Sequence, residues 1–281
     1  MQNKLFLIII VLFLIFIFQI RALPLAAPKE NARAEARTAA LPRQPEIEAK
    51  AALAEDFLTG EILYEKNSHY PLPLASITKI ISALTVLDFV SLDEEIKTKK
   101  GEHFKTRDLL AMIMVESSNG AVETLFEHVA EKNGKKSEEA RSWFLDLMAK
   151  KAEFLGGSGM IFSTIDGVDA SESSPGAMGS AVGIMRVAKS SLDSPLWQFG
   201  ALHEVVSKEG LIYNLKPTNA LESEIPALLG TKTGLTDLAG GNLLVIAEYP
   251  LGRPVGIVVL GSSQTGRFSD VRKIYEWIKT R

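Results

Sequence analysis

Residues 229–260, LGTKTGLTDLAGGNLLVIAEYPLGRPVGIVVL, decide the fold. They contain three strand-like runs, Leu229 to Thr236, Asn242 to Glu248 and Val255 to Leu260, parted by a Gly turn and a Pro-Leu-Gly-Arg turn. An amphipathic helix carrying Val271, Ile274, Tyr275 and Ile278 closes the chain. Far upstream, alternation in Ala51 to Glu55 and again in Glu61 to Glu65, around Thr59-Gly60, predicts a hairpin. The middle is helical. Ile77, Ile80, Ile81, Leu84 and Leu87 predict a helix from Ser76 to about Val90. A second runs from a Thr106 cap through Leu109, Leu110 and Met114 to Ser117-Ser118-Asn119-Gly120, and a third starts after that glycine with Val122, Leu125 and Val129 inward. Ser142 to Leu155 and Ala181 to Ser190 follow as helices, with a Gly/Ser-rich loop over 156–179. Strands at both ends and helices between them force the two ends into one sheet. The expected class is α+β: an antiparallel sheet of N- and C-terminal strands packed against a mostly helical middle.

Three short strings lie in order on this framework: Ser76-Ile77-Thr78-Lys79, Ser117-Ser118-Asn119 and Lys232-Thr233-Gly234. A chain of this length carries roughly one S-x-x-K by accident, and a chance K-T-G only about one time in ten. The ordered set is therefore the informative feature. Ser76 and Lys79, three apart at a helix start, share one face. A serine hydroxyl needs a base, and lysine serves as one only when neutral, which burial or a second cation arranges. Bringing a lysine from about 10.4 to near 7 costs roughly 4–5 kcal/mol, so the fold has to enforce it. The helix N-terminus adds backbone N–H groups that stabilise negative charge on oxygen.

Ser117 and Asn119 sit on an interhelical loop, where such residues also serve as plain turns and caps. Their chemical reading is a hydroxyl that relays a proton to a leaving amine and an amide that holds a peptide carbonyl. Lys232-Thr233-Gly234 lies in a strand, where a glycine lets a ligand backbone add to the sheet edge. Lys232 and Thr233 would then hold a free carboxylate and strengthen the positive field on Lys79.

Composition excludes several classes. The 281 residues carry 31 basic and 34 acidic side chains, a net charge of -3 with no basic stripe, which argues against nucleic acid as a partner. There is no cysteine, so disulfides and thiol chemistry are out. The four histidines lack metal-ligand spacing and no Gly-rich phosphate loop occurs, so no metal and no cofactor are expected. Leu5 to Phe18 is an unbroken apolar run, shorter than the ~20 residues of a spanning helix and typical of a secretory signal core. Residues 1–21 are accordingly a signal peptide or signal-anchor. Residues 22–47, rich in Ala, Pro, Arg and Glu, are a flexible linker, and 48–281 the catalytic domain.

These strings and their surroundings resemble the D-alanyl-D-alanine carboxypeptidase family, the low-molecular-weight penicillin-binding proteins. The likeness runs from about residue 50 to 281. It takes in Thr59 to Asn67, Leu74 to Lys79, Leu155 to Phe162, Asp166-Gly167-Val168, Ser180-Ala181, Thr218 to Leu221, Gly230 to Gly240 and Gly266 to Asp270. The resemblance implies a β-lactamase/transpeptidase-like fold. It assigns Ser76 as nucleophile, Lys79 as base and Ser117 as relay to the leaving group. Asn119 would bind the peptide, Lys232, Thr233 and Arg267 would receive the terminal carboxylate, and the N–H groups of Ser76 and Leu235 would form the oxyanion hole beside Gly234. Implied partners are peptidoglycan stem peptides, β-lactam antibiotics as covalent inhibitors, and a membrane reached through the N-terminal segment. The implied location is the bacterial cell envelope, on the outer face of the cytoplasmic membrane.

Three departures stand beside the likeness. Ser76 and Ser117 are 41 residues apart, closer than is usual in the family, and Gly120 stands where an acidic residue is common. The last helix is also not followed by the extra β-domain of many members, which makes N-terminal anchoring more attractive, with a secreted form the alternative. The expected activity is removal of the terminal D-alanine; DD-endopeptidase action on cross-links is the alternative. A class A β-lactamase ranks below both: such enzymes resemble the same fold but add a Glu in an E-x-x-L-N loop, which Glu153-Phe154-Leu155-Gly156 does not match. A non-catalytic cell-wall-peptide-binding ectodomain ranks last, because no catalytic residue is missing.

Overall fold

The computed structural model describes residues 43–280. The apolar run Leu5 to Phe18 and most of the expected linker lie outside the described residues, among which no helix is long and apolar enough to cross a membrane. The central sheet has five strands: β1 (Ala51–Asp56), β2 (Ile62–Lys66), β3 (Leu228–Thr236), β4 (Gly240–Glu248) and β5 (Pro254–Ser262). Their spatial order is β3-β4-β5-β1-β2, with every pairing antiparallel. The register Ala51↔Leu260 through Asp56↔Val255 joins the first strand to the last, so the two ends of the chain share one sheet as the alternation requires. β3, which carries Lys232-Thr233-Gly234, is an edge strand.

Successive residues of a strand point to opposite faces. Leu53, Leu244, Ile246, Val258 and Leu260 therefore pack on the helical middle, while Val245, Ile257 and Val259 pack against the closing helix. That helix, α6 (Gly266–Ile278), buries Val271, Ile274, Tyr275 and Ile278. Both faces of the sheet are covered, and this is why its central strands read as continuous apolar runs instead of alternating.

The remaining helices are α1 (Lys79–Val86), α2 (Thr106–Glu116), α3 (Asn119–Lys132), α4 (Ser137–Phe154) and α5 (Ala181–Ser190). All eight residues of α1 are buried, so it is the hub of the helical layer. Its hydroxyls are satisfied internally: Thr85 Oγ1 donates to Ile81 O at 2.8 Å, and Ser82 Oγ to the carbonyl of Ile165.

Several boundaries differ from expectation for identifiable reasons. The helix expected from Ser76 begins as a 3₁₀ turn, Ala75–Thr78, and becomes α-helical only at Lys79. Thr106 is the first residue of α2 and Lys105 its cap; Asp108 accepts from Lys105 N at 3.0 Å. α3 starts one residue before Gly120, because the Ser118 hydroxyl caps it by accepting from Ala121 N at 3.2 Å. α4 starts at Ser137, ahead of Ser142, with Glu138 and Glu139 in its first turn where acidic side chains favour the helix dipole. Two hairpins, Glu95–Lys97 with His103–Lys105 and Glu204–Val206 with Ile212–Asn214, went unread. Three-residue strands carry too little alternation to register.

Candidate active site

The three strings meet between the edge of the sheet and the helical layer. In a 3₁₀ turn, side chains three apart eclipse. That brings Lys79 Nζ to 2.8 Å from Ser76 Oγ, closer than the looser stagger of an α-helix start would. The preceding Ala75 has φ +48°, a left-handed conformation that is unusual without a glycine and marks a turn held by its surroundings. Part of that hold is visible. Asn242 donates through Nδ2 to Pro73 O at 2.9 Å and accepts Gly261 N at 2.8 Å, lashing the approach to Ser76 onto the sheet.

Lys79 is fully buried and also donates to the backbone carbonyl of Asp166 at 2.7 Å. Burial pulls its pKa down to about 8, against the opposing charge of Asp166. This is the direction a lysine base requires, though short of the expected value near 7. The loop that presents Asp166 fits because of the next residue. At Gly167, φ is +79° and a Cβ would stand 1.9 Å from Ala75 O, so only glycine lets the loop lie on the Ser76 turn.

Ser117 follows the last residue of α2 and adopts φ +61°, the second left-handed non-glycine at the site. Its Oγ accepts from Lys232 Nζ at 2.9 Å, across the cleft from β3. Lys232 is fully buried and donates also to Thr233 O at 2.9 Å. Although it stands on an edge strand, its side chain has no exposure at all. Burial first, then repulsion from Lys79 and Arg267, holds its pKa well below the ordinary value. The lowering of Lys79 itself comes from burial, the first of the two causes the sequence left open.

Thr233 is buried, its hydroxyl 2.7 Å from that of Thr218, which donates in turn to Val115 O at 3.1 Å. At Gly234, a Cβ would lie 2.9 Å from Leu74 O and 3.2 Å from Ser76 N. The glycine expected to admit a ligand backbone thus first admits the protein's own Ser76 turn. Leu235, next along the edge, is exposed, and Asn119 is exposed at the first position of α3. Arg267 is buried and donates through Nη1 to Gly234 O at 2.7 Å, while its Nε has no partner among the described residues. From the first turn of α6 its side chain reaches back to the sheet edge.

Two participants escaped the sequence reading. Asp166 contributes a carbonyl, which no side-chain pattern reveals. Asp169 accepts from Thr236 Oγ1 at 3.0 Å and from Leu238 N at 3.2 Å, pinning the end of β3 directly after Leu235. Only its closeness to Asp166-Gly167-Val168 hinted at it. The assembled site holds three buried cations, Lys79, Lys232 and Arg267, none of which makes an ion pair among the described residues. Such a site favours an anionic ligand and a neutral amine.

Glu153 lies elsewhere. It is exposed at the end of α4, and its carboxylate accepts from Ser158 Oγ at 3.1 Å.

Known proteins resemble this chain over most of its length. The family model described as D-alanyl-D-alanine carboxypeptidase matches residues 38–100 and 91–264. A D-alanyl-D-alanine endopeptidase of Pseudomonas aeruginosa is 27% identical over 264 residues, covering 86% of this chain and 81% of the relative. The D-alanyl-D-alanine carboxypeptidase DacD of Escherichia coli is 25% identical over 84% of this chain, which spans 64% of DacD's own length. Among solved structures, penicillin-binding protein D2 of Listeria monocytogenes in its cefotaxime-bound form superposes with a TM-score of 0.70 at 26% identity. That match covers 84% of this chain and all of the other.

Proposed function

This chain belongs to the D-alanyl-D-alanine carboxypeptidase family of serine peptidases, and we propose that it removes the terminal D-alanine of peptidoglycan stem peptides through an acyl-enzyme on Ser76. The single observation that carries the residue assignment is the 2.8 Å contact between Ser76 Oγ and a fully buried Lys79 Nζ whose pKa is pulled down to about 8.

The substrate peptide adds to the open edge of β3, with Asn119 holding the carbonyl of the residue before the D-Ala-D-Ala pair. Its terminal carboxylate is received by Thr233, Lys232 and Arg267, and its arrival raises the pKa of Lys232 toward the charged form. Ser76 Oγ then attacks the carbonyl carbon of the penultimate D-alanine while Lys79 Nζ takes the hydroxyl proton. Negative charge on the carbonyl oxygen is met by the N–H groups of Ser76 and Leu235. As the C–N bond breaks, the proton that Lys79 accepted passes through Ser117 to the leaving nitrogen, D-alanine departs and Lys79 is neutral again. Water attacks the ester, gives its proton to Lys79, and Ser76 is released with its proton restored. A β-lactam follows the first half of this course, but its amine stays tethered to the acyl group and blocks the water. The wall-facing side of the membrane, reached through the apolar N-terminal run, is where this substrate lies. Nucleic acid has no place in the reading.

One observation keeps endopeptidase action on cross-links as a second reading. The chain spans 81% and 84% of the endopeptidases of P. aeruginosa and E. coli, against 64% of DacD. The test is incubation with a fluorescent penicillin, then with a D-Ala-D-Ala pentapeptide and a cross-linked muropeptide dimer. Lasting label on Ser76 with D-alanine release supports the carboxypeptidase, and monomer release without D-alanine supports the endopeptidase. Rapid loss of label would mark a β-lactamase, and absence of label a binding module.

A further inference from the structure

The Thr233 hydroxyl rests on a side chain that the reaction course leaves idle. Thr218 Oγ1 lies 2.7 Å from Thr233 Oγ1 and 3.1 Å from Val115 O, and that same carbonyl also accepts Thr218 N at 3.0 Å. Val115 is the penultimate residue of α2, two before Ser117. Each hydroxyl has one proton to give and lone pairs with which to accept. Only one proton fits between the two oxygens, so the chain runs one of two ways. In the first, Thr233 donates to Thr218 and Thr218 to Val115 O. In the second, Thr218 donates to Thr233, whose own proton is then free for the cleft. Val115 O keeps the Thr218 N–H in both, so the reversal strands no acceptor. Beside the pair a cavity of about 10 Å³, room for one water, is lined by Thr218, Thr233 and Asn219. Asn219 is buried and its Nδ2 has no partner among the described residues. A water accepting from that amide can donate to whichever hydroxyl oxygen the chain leaves without a donor.

We propose that Thr218 is a positioning residue for the carboxylate site: it sets which way the Thr233 hydroxyl points and reverses to turn that proton toward an anionic ligand. Without ligand, the chain ends on Val115 O. A carboxylate can only accept, so its arrival draws the Thr233 proton into the cleft, and Thr218 swings its own proton from Val115 O to Thr233. Hydrogen bonds in a row polarise one another, so the bond to the anion is stronger than Thr233 alone would make. An uncharged amide asks less of the chain, because its N–H can donate to Thr233 in the first arrangement. This inference rests on the peptidase reading of the cleft.

The experiment uses the full chain in detergent and follows covalent labelling of Ser76 by intact mass. The two probes are benzylpenicillin and the same molecule with a carboxamide in place of its carboxylate. Thr218→Val, close in shape but without the hydroxyl, is expected to lower the second-order labelling constant of the acid about tenfold, the lower end of a hydrogen bond to a charged group. The constant of the carboxamide should fall by no more than about twofold. For the acid, the loss lies in the concentration giving half-maximal rate, with the limiting rate within about twofold of the parent, a split read without the carboxamide. Thr218→Ser, which keeps the hydroxyl, restores the parent values, and Thr218→Ala is read like the valine variant should that one not fold. Equal slowing of both probes, or a loss confined to the limiting rate, marks a merely structural threonine and overturns the inference. So does a valine or alanine variant that labels like the parent, and the peptidase reading stands in each case. A parent chain that takes no penicillin label and releases no D-alanine from a pentapeptide overturns that reading itself.

Discussion

Two regions of the same sheet bury charge in opposite ways. At the junction of β1, β5 and α6, the fully buried Asp270 is saturated by donors: Glu48 N at 2.9 Å, Ala49 N at 2.8 Å and Ser262 Oγ at 2.7 Å. These bonds tie the start of the domain to its last helix. At the other edge, Lys79 has only the Ser76 hydroxyl and one carbonyl, and it shares the cleft with a second buried lysine and an arginine. Charge that is fully satisfied holds a fold together. Charge that is left under-satisfied is destabilising, and what it provides is reactivity.

The sharpest way to break this comparison is to remove the reactive charge. Lys79→Met is expected to slow penicillin acylation by at least about a thousandfold, within the range of lost general-base catalysis. Its melting temperature should equal or exceed that of the parent, because the desolvated amine is gone. A marked drop in melting temperature would contradict the account. Ser76→Ala should take no covalent label at all, as judged by fluorescence of the denatured protein on a gel.

Removing the satisfied charge should do the reverse. Asp270→Ala leaves two backbone N–H groups and a hydroxyl without an acceptor and is expected to cost about 3 kcal/mol in urea unfolding. The acylation rate of the folded protein at 25 °C should stay near that of the parent. If stability were unchanged, the contrast between the two regions would fail.

A pH series sharpens the same contrast. With a folded-state pKa of about 8, Lys79 supplies neutral amine in rising proportion up to that pH, so acylation at pH 7 should run about tenfold below its alkaline plateau. The stability effect has a defined sign. The folded pKa lies below the ordinary 10.5, so between pH 8 and 10.5 the unfolded chain holds a proton the folded one lacks. The burial penalty is therefore full below pH 8 and lifts as pH rises toward 10.5. Over that interval the stability gap between Lys79→Met and the parent should narrow, and a gap that widens would reverse the assignment.

The smallest expected effect probes the support of the proposed oxyanion hole. Asp169→Ala frees the turn at Thr236 and Leu238, and a several-fold fall in acylation rate is expected with melting temperature almost unmoved. Asp169→Asn, which can still accept from Thr236, should recover part of it. No change in rate for the alanine variant would show that β3 holds Leu235 without help.

What the chain discloses by itself is local and periodic. Alternation in Ala51 to Glu55 and the turns at Thr59-Gly60 and Pro250 to Arg253 are written in neighbouring residues, so the antiparallel sheet and its strand ends could be read directly. Ser76, Lys79, Ser117 and Lys232 were legible as residue types at set spacings. What they touch was not. Lys79 meets a carbonyl 87 positions away and Lys232 a hydroxyl 115 positions away. The left-handed turns at Ala75 and Ser117, the claim of the sheet edge on Arg267 and the complete burial of both lysines likewise arise only when distant segments close on one another. The sequence determined the architecture and the cast of candidate groups. Tertiary packing decided which lysine touches which hydroxyl and how far each is stripped of water, because desolvation belongs to a surrounding volume and no single segment contains it.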